Sequence, residues 1–296
     1  MSVLEIKDLR KSFGTKEVLR GLDLEIPENC IFGFVGANGS GKTTTMKAVL
    51  GLIPADGGEI YVCGERVRFG ETATNRYVGY LPDVPEFYTF MTAPEYLCLC
   101  GESMGMSASD IKERSAELLS LVGLAEEKSR IKGYSRGMKQ RLGIAAALFG
   151  RPKLLICDEP TSALDPVGRK EILDILLSVK EQTTVLFSTH ILSDVERICT
   201  HVALLYRGRI AMCGGVDELK GRKQSEGFTV EVSDPEALCR AFPRGRITAD
   251  GAVAIAGGDD EMYEVLDFLR EKGITLRSLT KDQTTVESLF LEAVKK

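Results

Sequence analysis

The stretch Ile31-Phe-Gly-Phe-Val35, running without a break into Gly36-Ala-Asn-Gly-Ser-Gly-Lys-Thr43, decides how the rest of the chain is read. A short, continuously apolar run suits a strand buried on both faces of a mainly parallel sheet. Residues 36–43 satisfy G-x-x-x-x-G-K-[ST] between a strand and a helix, the context a phosphate loop requires. Gly36, Gly39 and Gly41 let a backbone carrying Ala37, Asn38 and Ser40 turn its N–H groups inward as an anion nest, and the next helix adds the positive end of its dipole. A polyphosphate fits there. Lys42 is placed to reach the β- and γ-phosphates and Thr43 to offer its hydroxyl to Mg²⁺, with Thr44 completing the nucleotide-binding set. A phosphate loop alone does not choose among kinases, switches, motors and pumps.

Working outward, Leu4 and Ile6, then Val18, Leu22, Leu24 and Ile26, alternate with polar neighbours on either side of a turn at Gly14, the pattern of antiparallel strands. Three more buried-strand runs, 153–157, 184–188 and 201–205, alternate with helical patterns and predict an α/β sheet. Between them, about 88–150 reads as a helical insertion with segments at 93–102, 109–122 and 137–149. Beyond about residue 220 the order becomes strand (228–232), helix (235–241), hairpin around Asp250-Gly251, helix (260–272) and strand (274–279), with an end helix at 284–294. That is a βαββαβ-like unit. The expected fold is therefore an α/β phosphate-loop domain over 1–220, with a mixed sheet, an antiparallel β part and a helical insertion. A small α+β accessory domain occupies 221–296.

Two acids end the run Leu154-Leu-Ile-Cys-Asp158-Glu159. Adjacent carboxylates at a buried strand end are costly without a cation, so Asp158 is read as holding the Mg²⁺ shell. Glu159, pointing the other way along the strand, is read as orienting or deprotonating the attacking water. His190 ends the run TVLFSTH at the carboxyl edge of the sheet, where an imidazole can hydrogen-bond the γ-phosphate. His201, opening the next strand, is read as structural.

The composition excludes several classes. In 296 residues the 38 basic and 43 acidic side chains leave a net charge of −5, which gives no global field for duplex nucleic acid or anionic lipid. The longest apolar stretches fall short of the roughly 20 residues a spanning helix needs, and the amino terminus lacks the apolar core of a secretion signal, so a cytoplasmic protein is expected. The 8 cysteines show no CxxC pair or zinc spacing and are read as reduced core thiols.

In order, GANGSGKT (36–43), YSRGM (134–138), LLICDE (154–159), SALD (162–165) and STH (188–190) resemble the ATPase subunits of ATP-binding cassette transporters over about residues 1–220. YSRGM resembles the family signature LSGGQ in keeping Ser135 and Gly137, with Arg136 and Met138 replacing Gly and Gln. Variants of this type look like those of exporter cassettes encoded apart from their membrane subunits. The resemblance implies ATP and Mg²⁺ as ligands, and two cassettes, alike or different, closing head to tail around two ATPs. Ser135 and Gly137 of one would then meet the γ-phosphate held by the other, with Asp165 lying across the interface. It further implies that Phe13 stacks on adenine. An integral-membrane permease is the implied partner, which would hold the cassette on the inner face of the cell membrane, and no nucleic acid is expected. Asp83 stands where the family usually has a glutamine that contacts metal or water, so a metal contact is the expectation there too.

Phe87, Tyr88, Phe90 and Tyr96 read either as a groove for a partner helix or as core of the insertion. Val286, Leu289, Phe290 and Val294 share one helical face, for packing the accessory domain or a second copy. Two rival functions stay in view. A soluble cassette acting on ribosomes or DNA typically has two cassettes or long coiled coils, whereas a phosphate-loop kinase would leave YSRGM and SALD unexplained.

Overall fold

The computed structural model describes residues 2–221, 227–281 and 285–295, with side chains to 293. It divides into two compact units, Met1–Asp217 with Phe290–Lys296, and Glu218–Leu289.

The first unit begins with a hairpin, β1 (Ser2–Phe13) and β2 (Lys16–Pro27), turning through Gly14 at φ 58. Their alternation buries Leu4, Ile6, Leu9, Leu22, Leu24 and Ile26 on one face. After β3 (Ile31–Val35) and α1 (Lys42–Val49), β4 (Gly57–Val62) and β5 (Glu65–Arg66) extend the hairpin into an antiparallel sheet of order β2-β1-β4-β5. Strand β6 (Val78–Leu81) leads into three helices, α2 (Ala93–Ser103), α3 (Ala108–Leu121) and α4 (Arg136–Leu148). The Thr92 N–H donates to the Glu95 carboxylate (2.7 Å) to start α2, and Ser107 caps α3. The chain returns through β7 (Leu154–Asp158), α5 (Pro166–Val179), β8 (Thr184–Thr189), α6 (Leu192–Ile198), β9 (His201–Tyr206), β10 (Arg209–Gly215) and α7 (Val216–Gly221).

The six-stranded sheet runs β10-β9-β3-β8-β7-β6, parallel from β9 to β6 with β10 antiparallel at one edge. Every residue of β3, β7 and β8 is buried, as expected of strands covered on both faces. Because β3, β8 and β7 are parallel neighbours, their carboxyl ends lie side by side, where open α/β sheets bind ligands. His201 packs its ring parallel to that of Phe32 (centroids 6.3 Å apart).

The second unit comprises β11 (Gly227–Val232), α8 (Pro235–Ala241), β12 (Gly245–Ile247), β13 (Val253–Ala256), α9 (Asp259–Lys272), β14 (Leu276–Lys281) and the first part of α10 (Val286–Lys295). Its antiparallel sheet has the order β12-β13-β11-β14, the ferredoxin-like arrangement of a βαββαβ chain. Three acids in the first turn of α9, Arg270 and Lys272 in its last, and Gly273 at φ 64 complement the helix dipole and close the helix. Phe228, Val230, Val253, Val265 and Leu269 form its own core.

Some expectations change. Strands β4, β5, β6 and β10 were not legible in the apolar pattern. Thr284 and the side chain of Val294 lie outside the described residues; of the same face, Val286 is buried while Leu289 and Phe290 are half-buried. Phe87 and Tyr96 pack edge to face (4.9 Å) and are half-buried, whereas Tyr88 and Phe90 are exposed, so the aromatic cluster is part core and part surface. All eight cysteines are free.

Candidate active site

The loop between β3 and α1 can take its shape only with glycine at three places. Gly39 and Gly41 sit at φ 78 and φ 115, and a Cβ on Gly36 would lie 2.6 Å from Ser40 Oγ and 2.7 Å from the Leu205 carbonyl. Ala37, Asn38 and Gly39 are exposed along the rim. Lys42, the first residue of α1, is buried: its Nζ donates to the Gly36 carbonyl (2.7 Å) and forms an ion pair with Glu159 Oε1 (3.1 Å). Thr43 Oγ1 donates to Asp158 Oδ2 (2.7 Å), while Thr44 is half-buried beside it.

Asp158, last in β7, is almost wholly buried. Glu159 lies just beyond the strand at φ 48, a left-handed conformation that costs a non-glycine residue about 1–3 kcal/mol. Glu159 stands beyond the last residue of β7, so a left-handed turn rather than the pleat of the strand sends it towards Lys42. Its Oε2 lies 2.8 Å from His190 Nδ1, beyond the end of β8. Glu159 thus stands between Lys42 and His190, and Asp158 faces Thr43.

The remaining expected residues fall into two groups. Ser135 caps α4, its Oγ accepting from the Met138 N–H (3.2 Å), and Asp165 caps α5 by accepting from the Gly168 N–H (3.1 Å). A Cβ on Gly137 would come 3.9 Å from Leu164, so the YSRGM and SALD segments are neighbours within the chain. Phe13, ending β1, is 52% exposed with Lys11 Nζ 5.3 Å from its ring centroid. Asp83 lies between β6 and the helical insertion. Its carboxylate pairs with Arg136 (3.3 Å), not with Thr43 or Asp158, and its carbonyl accepts from the buried Gln140 Nε2 (2.6 Å). An aspartate is shorter than glutamine, and a guanidinium has come within its reach. Burial pushes the Asp83 carboxyl up, Arg136 draws it down, and Asp158 and Glu159 add to the rise.

The donors suit a nucleotide with its metal. Ser40 Oγ is buried in the loop with no hydrogen-bond partner, the glycines leave room for a phosphate against the backbone, and a hydroxyl with an inner carboxylate is a hard-oxygen set.

Residues 19–162 match the family model described as "ABC transporter". Over 303 residues, covering 99% of both chains, the sequence is 42% identical to the uncharacterized ABC transporter ATP-binding protein YxlF of Bacillus subtilis (strain 168). This chain belongs to the ABC transporter ATP-binding proteins. It is 31% identical to the bacitracin transport ATP-binding protein BcrA of Bacillus licheniformis, covering 99% of this chain and 97% of that one. A solved structure of the ATP-binding subunit of an ABC transporter superimposes with TM-score 0.67 at 32% identity, over 74% of this chain and 92% of the other. The cassette is accordingly an ATP-hydrolysing subunit of a transporter, and the ribosome, DNA and kinase readings fall away. ABC ATP-binding subunits in general dimerise and pair with membrane permeases.

Sequence reasoning missed several residues that hold this ABC site together. Ser188 bonds both Asp158 and Glu159. Asp194, 2% exposed, accepts from Thr161 Oγ1 (2.8 Å) and Arg169 Nε (2.6 Å), tying the SALD segment to the stretch after His190. An acid four residues after His190, on a helix of mixed pattern, was the available signal.

Proposed function

We propose that this cassette hydrolyses Mg-ATP by direct transfer of the γ-phosphoryl group to water. The placing of Glu159 between Lys42 and His190 carries the reading. Lys42 and the loop N–H groups hold the β- and γ-phosphates, Phe13 stacks on the adenine, and Glu159 orients or deprotonates the water while His190 fixes its carboxylate. Thr43 and Asp158 would hold Mg²⁺, which when bound neutralises charge on the β- and γ-phosphate oxygens.

The head of α4 supports a composite site. Ser135 is exposed there, and a helix N-terminus is an anion-binding end suited to a phosphate brought from outside the chain. A second cassette brings that phosphate, and Asp165 then lies across the interface. One chain carries every motif, so two copies complete two sites, and a different cassette with the same loop serves equally.

A separate integral-membrane permease is the proposed partner. Exposed Tyr88 and Phe90, and a groove of about 650 Å³ lined by Pro94, Cys98, Met106, Ile111 and Leu119, suit an amphipathic helix. No helix among the described residues is long and apolar enough to cross a membrane. Export, with the cassette on the cytoplasmic face, is favoured by relatives named for bacitracin transport and, at 34% identity over 74% of this chain, for linearmycin resistance in Bacillus subtilis.

The test is phosphate release by the purified chain with Mg²⁺. E159Q is expected to lower the rate by more than about 100-fold while nucleotide binding persists. Equal loss of binding and turnover would contradict the role given to Glu159.

A further inference from the structure

Strand β8 and the residue after it carry Ser188, Thr189 and His190, and only the histidine has a role in the proposed hydrolysis. Ser188 is fully buried, between the apolar Phe187 and the buried Thr189 of the same strand. Its hydroxyl is satisfied twice: Oγ donates to Asp158 Oδ1 (2.6 Å) and accepts from the backbone N–H of Glu159 (2.9 Å). Asp158 therefore has one oxygen fixed by Thr43 and the other by Ser188. The Glu159 N–H belongs to the residue at φ 48, so the same hydroxyl holds the strained turn that aims Glu159 at Lys42 and His190.

We propose that Ser188 is a positioning residue for hydrolysis, one hydroxyl setting the orientation of the metal-side carboxylate and the conformation of the water-side carboxylate together. Both partners of the Ser188 hydroxyl are the two acids of the site. It acts through Asp158 and Glu159, so the proposal rests on the roles given to those two acids. Groups that orient a ligating carboxylate act on metal affinity as well as on rate. A hydroxyl that merely filled space in β8 would affect neither.

The full-length protein would be compared with S188A, S188C and D158N, using a fluorescent ATP analogue titrated at increasing Mg²⁺ and again in EDTA, together with phosphate release. S188C fills nearly the same space with a weak donor, so it keeps the test open if S188A does not fold. Both Ser188 variants are expected to bind the analogue in EDTA as the parent does. They should need about tenfold more Mg²⁺ for half-maximal tight binding and turn over at least about tenfold more slowly, with KM for ATP little changed. A folded S188C with the parental Mg²⁺ dependence and rate would overturn the inference. A D158N protein that kept the parental Mg²⁺ dependence would instead overturn the assignment of Asp158 itself.

Discussion

The carboxylate of Asp83 and the guanidinium of Arg136 lie 3.3 Å apart, joining the segment after β6 to the head of α4. Both positions depart from the usual cassette pattern, in which glutamine and glycine stand there, and the two departures meet. The pair is about half exposed, so its direct contribution to stability is small. Its geometry still bears on function, because Arg136 is the first residue of the helix whose N-terminus is proposed to face the second cassette's phosphate.

The Asp83 carboxyl is raised above its unfolded value chiefly by burial, with Arg136 opposing. A raised acid favours folding in its protonated form. That contribution is present below the unfolded pKa, about 4, and is lost as pH rises through the folded value. R136A removes the opposing cation and is expected to move the Asp83 titration to higher pH. The carboxyl-carbon chemical shift of labelled aspartate, followed against pH, measures it. An unchanged or lowered midpoint would contradict the pairing.

His190 holds Glu159 Oε2 and makes no contact with Lys42 or Asp158 among the hydrogen bonds and ion pairs of the described residues. H190A should therefore lower kcat by about 100-fold or more while KM for ATP changes by less than about threefold. Steady-state kinetics with equilibrium nucleotide binding separate the two. A KM effect without a kcat effect would place His190 in ground-state binding instead.

Asp194→Ala strands Thr161 Oγ1 and removes the carboxylate from Arg169 Nε. Removing a buried carboxylate that satisfies a buried hydroxyl and a partly exposed guanidinium costs about 3 kcal/mol. In a unit of this size a loss of about 3 kcal/mol lowers Tm by about 6–12 °C, measurable by calorimetry. A fall of less than about 2 °C would mean that the clamp between the SALD segment and α6 is not a stability element.

The phosphate loop and the buried strands were legible because glycine spacing and continuous apolar runs are local signals. The accessory unit was legible for the same reason: Asp250-Gly251 marks its hairpin, and the periods on either side separate strand from helix. Short edge strands were not. Strand β6 has four residues, one of them glycine, and β10 buries none of its residues fully and ends in two glycines, so their pairing comes from the sheet beside them. The left-handed turn at Glu159 was not legible, because nothing in Asp158-Glu159 announces a positive φ at a non-glycine residue. Arg136 and Asp83 are 53 positions apart, and Ser188 looks like a small filler in an apolar strand until its two partners are seen.

In the proposed composite site a γ-phosphate bound by the loop of one cassette is met by the head of α4 in another. Sedimentation of E159Q with and without Mg-ATP tests it most directly, since that substitution should preserve binding while removing the water-activating carboxylate. An ATP-dependent shift from monomer to dimer is expected, abolished when Ser135 is replaced by a bulky residue. A protein that binds ATP and stays monomeric at every concentration would contradict two copies of this chain forming the composite site.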